Sequence, residues 1–190
     1  MCGRYTLFSD EEVQDLRDII EEVERRHRGG PLAGTGEIRP TNIAPVVVAG
    51  ADGPEARAMA WGFPPFRGKG VIINARAETA ADKPLFRGSL GSRRCAVPAT
   101  GFYEWDDQKV KHRFSLPGEP FFYLAGLYGL FDREPHFVIL TTAPNRSVAA
   151  VHDRMPVLLP PSAVEGWLSD PAPLPALLAA QPPSLTDTVA

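Results

Sequence analysis

A chain of 190 residues, 44% hydrophobic and 23% charged, is long enough to bury one substantial core and has the balance of an ordinary globular domain. No apolar run reaches the length of a membrane-spanning helix, and acidic residues from Asp10 onward argue against the basic-then-apolar start of a secretory leader. The net charge of −3 excludes a basic chain overall, yet residues 57–113 hold eleven Lys/Arg against five Asp/Glu, a local excess of +6. A basic middle on an acidic chain suits either a phosphate-binding face or a solvated mixed surface, and charge alone does not choose between them.

In chain order, Ser9-Asp10-Glu11-Glu12 has the form of a capping box. Val13, Leu16, Ile20 and Val23 follow at helical spacing, so a helix is expected over about residues 10–28, ended by Gly29-Gly30-Pro31. Residues 29–45 form a Gly/Pro-rich connection. Short β-like runs then follow at 46–49, 56–61, 71–74, 95–98, 102–105, 113–116, 121–130, 137–142 and 157–159, most of them separated by turn residues. Short helices are expected over 80–90, 162–168 and 173–180. The Pro/Ser/Thr-rich tail from Gln181 is expected to fray, leaving a single domain over residues 1–180 and a flexible tail over 181–190. Helices segregated around a largely antiparallel, barrel-like twisted sheet make the fold class α+β.

Four segments carry reactive groups. Cys2 follows Met1, and its small size favours removal of that methionine. It would then bear a free α-amine and a thiol on adjacent carbons, with reference pKa values of about 7.7–8.0 and about 8.5. Such a 1,2-aminothiol condenses with an aldehyde and closes to a five-membered thiazolidine. Asn74 and Arg76 follow an apolar run and can orient an amine and clamp a phosphate, although Asn74 also suits a turn. Glu104 lies among aromatics in Gly101-Phe102-Tyr103-Glu104-Trp105, a setting that raises a carboxyl pKa and suits acid/base work. A solvent-facing Glu on a strand fits the same pattern. His152, in His152-Asp153-Arg154-Met155-Pro156, has the imidazole best matched to proton transfer near neutrality. No metal-binding or dinucleotide pattern occurs, and no cofactor is expected.

Taken together, Met1-Cys2-Gly3-Arg4-Tyr5, Asn42-Ile43-Ala44-Pro45, Trp61-Gly62, residues 74–79, Arg94-Cys95, Val97-Pro98, residues 101–105 and residues 152–156 form one ordered set. In this the chain resembles the SOS response-associated peptidase family, also described as abasic-site processing proteins. Two places depart from that pattern. Phe66 stands where a second Trp is usual, and Arg39-Pro40-Thr41 precedes Asn42 where Arg-Tyr is usual.

The resemblance implies covalent capture of abasic sites in single-stranded DNA, with strand cleavage prevented. It lifts Cys2, Asn74, Glu104 and His152 to catalytic candidates. Arg4, Arg76 and Arg154 become candidate phosphate contacts, and Trp61, Phe66 and Trp105 candidate stacking faces. Two cysteines without a signal peptide suggest reduced thiols in a cytosol, and a cytoplasmic monomer, nucleoid-associated during DNA damage, is expected; the family's peptidase name implies autoproteolytic loss of Met1 as its minimal form. Two other readings use the same residues. One is a thiol or N-terminal-nucleophile peptidase, and the other is a non-catalytic single-strand binder.

Overall fold

The computed structural model describes residues 2–8, 13–27, 29, 31–33, 35–169, 175 and 182–190. The proposed capping box at 9–12 lies outside these residues, as does nearly all of the expected helix over 173–180. Helix α1 (Gln14–Arg26) buries Leu16, Ile20 and Val23, the face that helical spacing selects.

A five-stranded sheet is ordered β13-β8-β7-β1-β2. Its members are β1 (Tyr5–Leu7), β2 (Gly36–Ile38), β7 (Gly101–Trp105), β8 (Lys111–Ser115) and β13 (Thr186–Val189). Thr186–Val189 thus pairs antiparallel with β8, although composition alone leaves this end of the chain as a fraying tail. The alternating Thr186 and Thr188 are β-branched, which suits an added edge strand.

The second sheet is built on β3 (Ile43–Ala49), β4 (Pro54–Trp61), β6 (Arg94–Ala99), β9 (Phe122–Phe131) and β10 (Glu134–Thr142). These pair in the cycle β10-β4-β3-β6-β9-β10, closing a barrel that leaves none of the five as a free edge. The ring is antiparallel except where β4 meets β10 in parallel. Three short strands hang on it: β5 (Asn74–Arg76) alongside β10, β11 (Met155–Pro156) and β12 (Leu158–Leu159). Helices α2 (Pro84–Ser92) and α3 (Val164–Ser169) pack outside the sheets. The α+β class expected from the pattern holds.

Two boundaries differ from expectation. The run Val71-Ile72-Ile73 reads as strand, but only Ile72 bridges, to Phe63, and regular pairing with β10 begins at Asn74. The helix expected over 80–90 is split into a 3-10 turn at Ala80–Asp82 and α2, because Pro84 has no N–H to continue a helix and sits at its first turn.

The core runs through the barrel and under β1. Tyr5 meets Trp61 edge to face at 5.2 Å, and Trp61 stacks on Phe137 at 6.2 Å. Gly62 ends β4 at φ +121°, and a Cβ there would lie 2.7 Å from Val71 Cβ. Only glycine turns the chain at this point and starts the loop that carries Phe66. Among the described residues no helix is long and apolar enough to cross a membrane.

Candidate active site

The site forms where the two sheets meet. β1 is pinned between β2 and β7, and the chain just before it is held by Tyr103 N–H donating to Arg4 O at 2.9 Å. This anchoring places Cys2 against β7, which carries Glu104, and against β5, which opens with Asn74. His152 comes from the turn between β10 and β11. Asn145 Oδ1 accepts from Val148 N–H at 3.0 Å to start that turn, and His152 N–H donates to Val148 O at 2.9 Å to finish it.

Cys2 is fully buried. Its carbonyl accepts a hydrogen bond from Asn74 Nδ2 at 2.9 Å, while the other amide atom, Oδ1, is buried with no hydrogen-bond donor among the described residues. The thiol Sγ lies 3.8 Å from Arg4 O. Burial, followed by the nearby Glu104 charge, holds the thiol well above its ordinary pKa, so it stays protonated at neutral pH.

Glu104 is 2% exposed. Burial raises its carboxyl from 4.5 to about 7, against the opposing N-terminal charge. His152 Nε2 faces Glu104 Oε2 at 3.7 Å. Arg154 N–H donates to His152 Nδ1 at 3.0 Å, which leaves the proton of the neutral ring on Nε2. Asp153 Oδ1 also lies 3.0 Å from Nδ1, but this carboxylate is largely exposed, so we assign the tautomer from the backbone donor. Burial, and after it the N-terminal charge, lowers the His152 pKa and keeps the ring neutral. The four catalytic candidates from the sequence therefore lie in one neighbourhood, contributed by four separate segments. Among the described residues no group of His, Cys, Asp and Glu could hold a metal ion.

The DNA-contact candidates divide. Arg76 is exposed. Phe66 is 94% exposed on its loop, with the Arg67 guanidinium 5.8 Å from its ring centre. Trp105 is partly exposed, with the Arg4 guanidinium 5.1 Å from its ring. Trp61 has no exposed surface: its Nε1–H donates to Ile73 O at 3.1 Å, and both ring faces are taken up by core packing. It supports β1 from below and offers no face to a base. Hydropathy and position could not separate it from an exposed tryptophan, since both occur at strand ends.

Arg154 is engaged within the protein. It grips Glu78 through two hydrogen bonds, at 3.0 and 2.8 Å, and donates to Thr141 O at 2.6 Å. Burial would raise the Glu78 pKa, but the Arg154 bonds outweigh it and hold the carboxyl below its usual range. This fork fixes the backbone N–H that orients His152. Glu78 lies inside the Asn74–Thr79 motif, yet its role was not legible there because its partner lies 76 residues away.

Comparison with known proteins gives the chain's relatives. The chain is 37% identical over 189 residues to the abasic site processing protein YoqW of Bacillus subtilis, a match covering 89% of this chain and 80% of that one. It is 28% identical over 177 residues to the abasic site processing protein YedK of Escherichia coli, covering 88% and 79% respectively. Among solved structures, a Bordetella bronchiseptica protein superposes with TM-score 0.79 at 23% identity, covering 100% of this chain and 99% of that one. A Bacteroides thetaiotaomicron protein gives 0.75 at 23% identity, covering 99% and 91%. These two likenesses concern the fold alone. The profile of the SOS response associated peptidase family matches residues 1–187, and the chain belongs to that family.

Proposed function

We propose that the protein captures abasic sites in single-stranded DNA covalently, through a thiazolidine formed by Cys2 after Met1 is removed. The observation that carries this reading is Asn74, whose amide holds the Cys2 carbonyl at 2.9 Å and keeps a second polar atom, with no hydrogen-bond donor among the described residues, buried beside it. That atom, Oδ1, is the acceptor we assign to the N–H of the mature Cys2 amine. With its proton directed away, the amine lone pair is left for the aldehyde carbon of the open sugar.

The proton steps follow from the site. Glu104 as carboxylate takes a proton from the attacking amine. As carboxylic acid it gives that proton to the former aldehyde oxygen, making a hydroxyl; it then takes the second amine proton and passes it to the same oxygen, which leaves as water and gives the neutral imine. The Cys2 thiol then adds to the imine carbon, its proton passing to the nitrogen, and the ring closes. The net change is aldehyde plus aminothiol to thiazolidine plus one water. A carboxyl titrating at about 7 serves both directions near neutrality. His152 Nε2–H is suited to donate a hydrogen bond to the ring oxygen as the closed sugar opens to its aldehyde, while the proton that the C1 hydroxyl gives up moves to that oxygen. Arg4 and Arg76 contact phosphates, and Phe66 and Trp105 offer faces to bases. A single strand suits a buried nucleophile, which cannot reach a sugar held in a duplex.

The raised Cys2 pKa weighs against a thiol peptidase as the principal activity, because such an enzyme needs a thiolate at neutral pH. A neutral thiol adding last to an imine has no such need. Loss of Met1 by self-cleavage belongs to the same proposal as the step that exposes the amine. The test is an abasic oligonucleotide incubated with wild type and Cys2→Ala, then run under denaturing conditions. Wild type should give a denaturation-resistant adduct and Cys2→Ala none, while both bind the strand non-covalently. An adduct with Cys2→Ala would end the proposal.

A further inference from the structure

On the outer face of the five-stranded sheet, three cations converge on one carboxylate. Glu37 Oε1 is 3.1 Å from Arg4 Nη1 and accepts from Arg39 Nε at 3.1 Å and Nη2 at 2.9 Å, while Oε2 accepts from Lys111 Nζ at 2.7 Å. Strand register explains the meeting. Glu37 lies opposite Thr6, and Lys111 lies opposite Trp105, in adjacent strands β2-β1-β7-β8. Alternation along each strand then sets Arg4, Glu37, Tyr103, Trp105 and Lys111 on one face, and the buried Tyr5, Ile38, Phe102 and Phe114 on the other.

One carboxylate leaves this cluster with an unbalanced charge of about +2, since each of the three cations carries a full charge. The aromatic rings beside it hold the cations in place: Lys111 Nζ sits 3.7 Å from the Tyr103 ring centre, and the Arg4 guanidinium 5.1 Å from that of Trp105. Burial pushes Glu37 upward, but the Lys111 and Arg39 hydrogen bonds and the Arg4 charge outweigh it, so the carboxylate stays ionised. Several donors aimed at two oxygens of one anion is the geometry that also receives a phosphate. The cluster lies across the sheet from the Glu104 carboxyl, which alternation sets on the face of Phe102, and it is tied to the site through the chain: Arg4 is two residues from Cys2 and Trp105 directly follows Glu104.

We infer that Arg4, Arg39 and Lys111 form a binding site for a DNA backbone phosphate, and that Glu37 occupies it in the free protein as an internal competitor. The inference rests on single-stranded DNA being the partner. Its consequence is selectivity. An undamaged strand must displace Glu37 to use the full cluster, which weakens binding that no covalent bond follows. A strand carrying the aldehyde is retained by the chemistry at Cys2.

The test is the salt dependence of binding to an undamaged single-stranded oligonucleotide, followed by fluorescence anisotropy. For single strands, log K falls against log salt with a slope of about 0.7 per phosphate neutralised. Glu37→Gln keeps the side-chain shape and removes the charge. It should bind more tightly at low salt and with a slope steeper by about 0.7, so a fourfold rise in salt weakens it roughly 2.5-fold more than wild type. Lys111→Gln should have a slope shallower by about 0.7. An unchanged slope in either variant, or weaker low-salt binding by folded Glu37→Gln, overturns the inference. If Glu37→Gln does not fold, Lys111→Gln alone decides it. Adduct formation by wild type on an abasic strand, measured alongside, separates the two proposals. No adduct with the expected slopes defeats covalent capture and leaves the cluster standing, whereas an adduct with unchanged slopes does the reverse.

Discussion

Replacing Glu104 with Gln should make the protein more stable and less active. In the folded protein burial lifts this carboxyl from 4.5 to about 7. Between those values the folded state holds a proton that the unfolded state has released, so stability falls as pH rises through the window. The cost is absent below the unfolded value and complete above pH 7. A shift of roughly 2.5 units at about 1.36 kcal/mol each amounts to about 3 kcal/mol. Glutamine stays neutral throughout and nearly matches the volume. Urea unfolding at pH 5 and pH 8 should therefore show a stability advantage for Glu104→Gln that grows with pH and reaches a few kcal/mol at pH 8. Loss of the proton shuttle should slow adduct formation about 10²–10⁴-fold. An advantage that does not change with pH, or a variant less stable than wild type at pH 8, would refute the account of this carboxyl. Stability and activity moving in opposite directions mark a group whose burial serves chemistry.

Three further outcomes follow from the geometry. Asn74→Ala removes the hydrogen bond to the Cys2 carbonyl and the acceptor beside it; adduct formation should slow at least about tenfold in quench-flow or gel time courses, with strand affinity little changed. Phe66→Ala should weaken non-covalent binding of a single strand by about 1–3 kcal/mol in anisotropy titrations, without moving the thermal melting point, because the ring is 94% exposed. Arg76→Ala should weaken binding and reduce the salt slope by about 0.7; an unchanged slope removes Arg76 from the phosphate contacts.

The sequence showed the chemistry of the site more clearly than its environment. Cys2, Asn74, Glu104 and His152 stood out because each sits in a short motif rich in reactive groups, and the structure brings them to one place. The closed barrel was less legible: β9 and β10 are joined by a tight hairpin at Asp132-Arg133, but closure depends on β10 pairing in parallel with β4, a contact between strands far apart in sequence that leaves no local pattern. Trp61 and Phe66, five residues apart, look alike as aromatics near a strand end. Only packing separates a core support from an exposed ring, and the left-handed Gly62 between them is where the chain leaves the core. Glu37, Glu78 and Lys111 were missed because surface charges acquire roles only through partners distant in sequence. Glu78 illustrates this, pairing with an arginine 76 residues away. The strand at Thr186–Val189 was hidden by Pro/Ser/Thr-rich composition, which describes the flank at 182–184 better than the strand itself.

The central claim is that both the amine and the thiol of Cys2 bond to one carbon of the lesion. Intact mass spectrometry of wild-type protein after incubation with an abasic single-stranded oligonucleotide tests it directly. The account predicts a species equal to the chain beginning at Cys2, plus the oligonucleotide, minus one water, and stable without reductant. A covalent species that retains Met1, or one that persists only after borohydride trapping of an open imine, would contradict it.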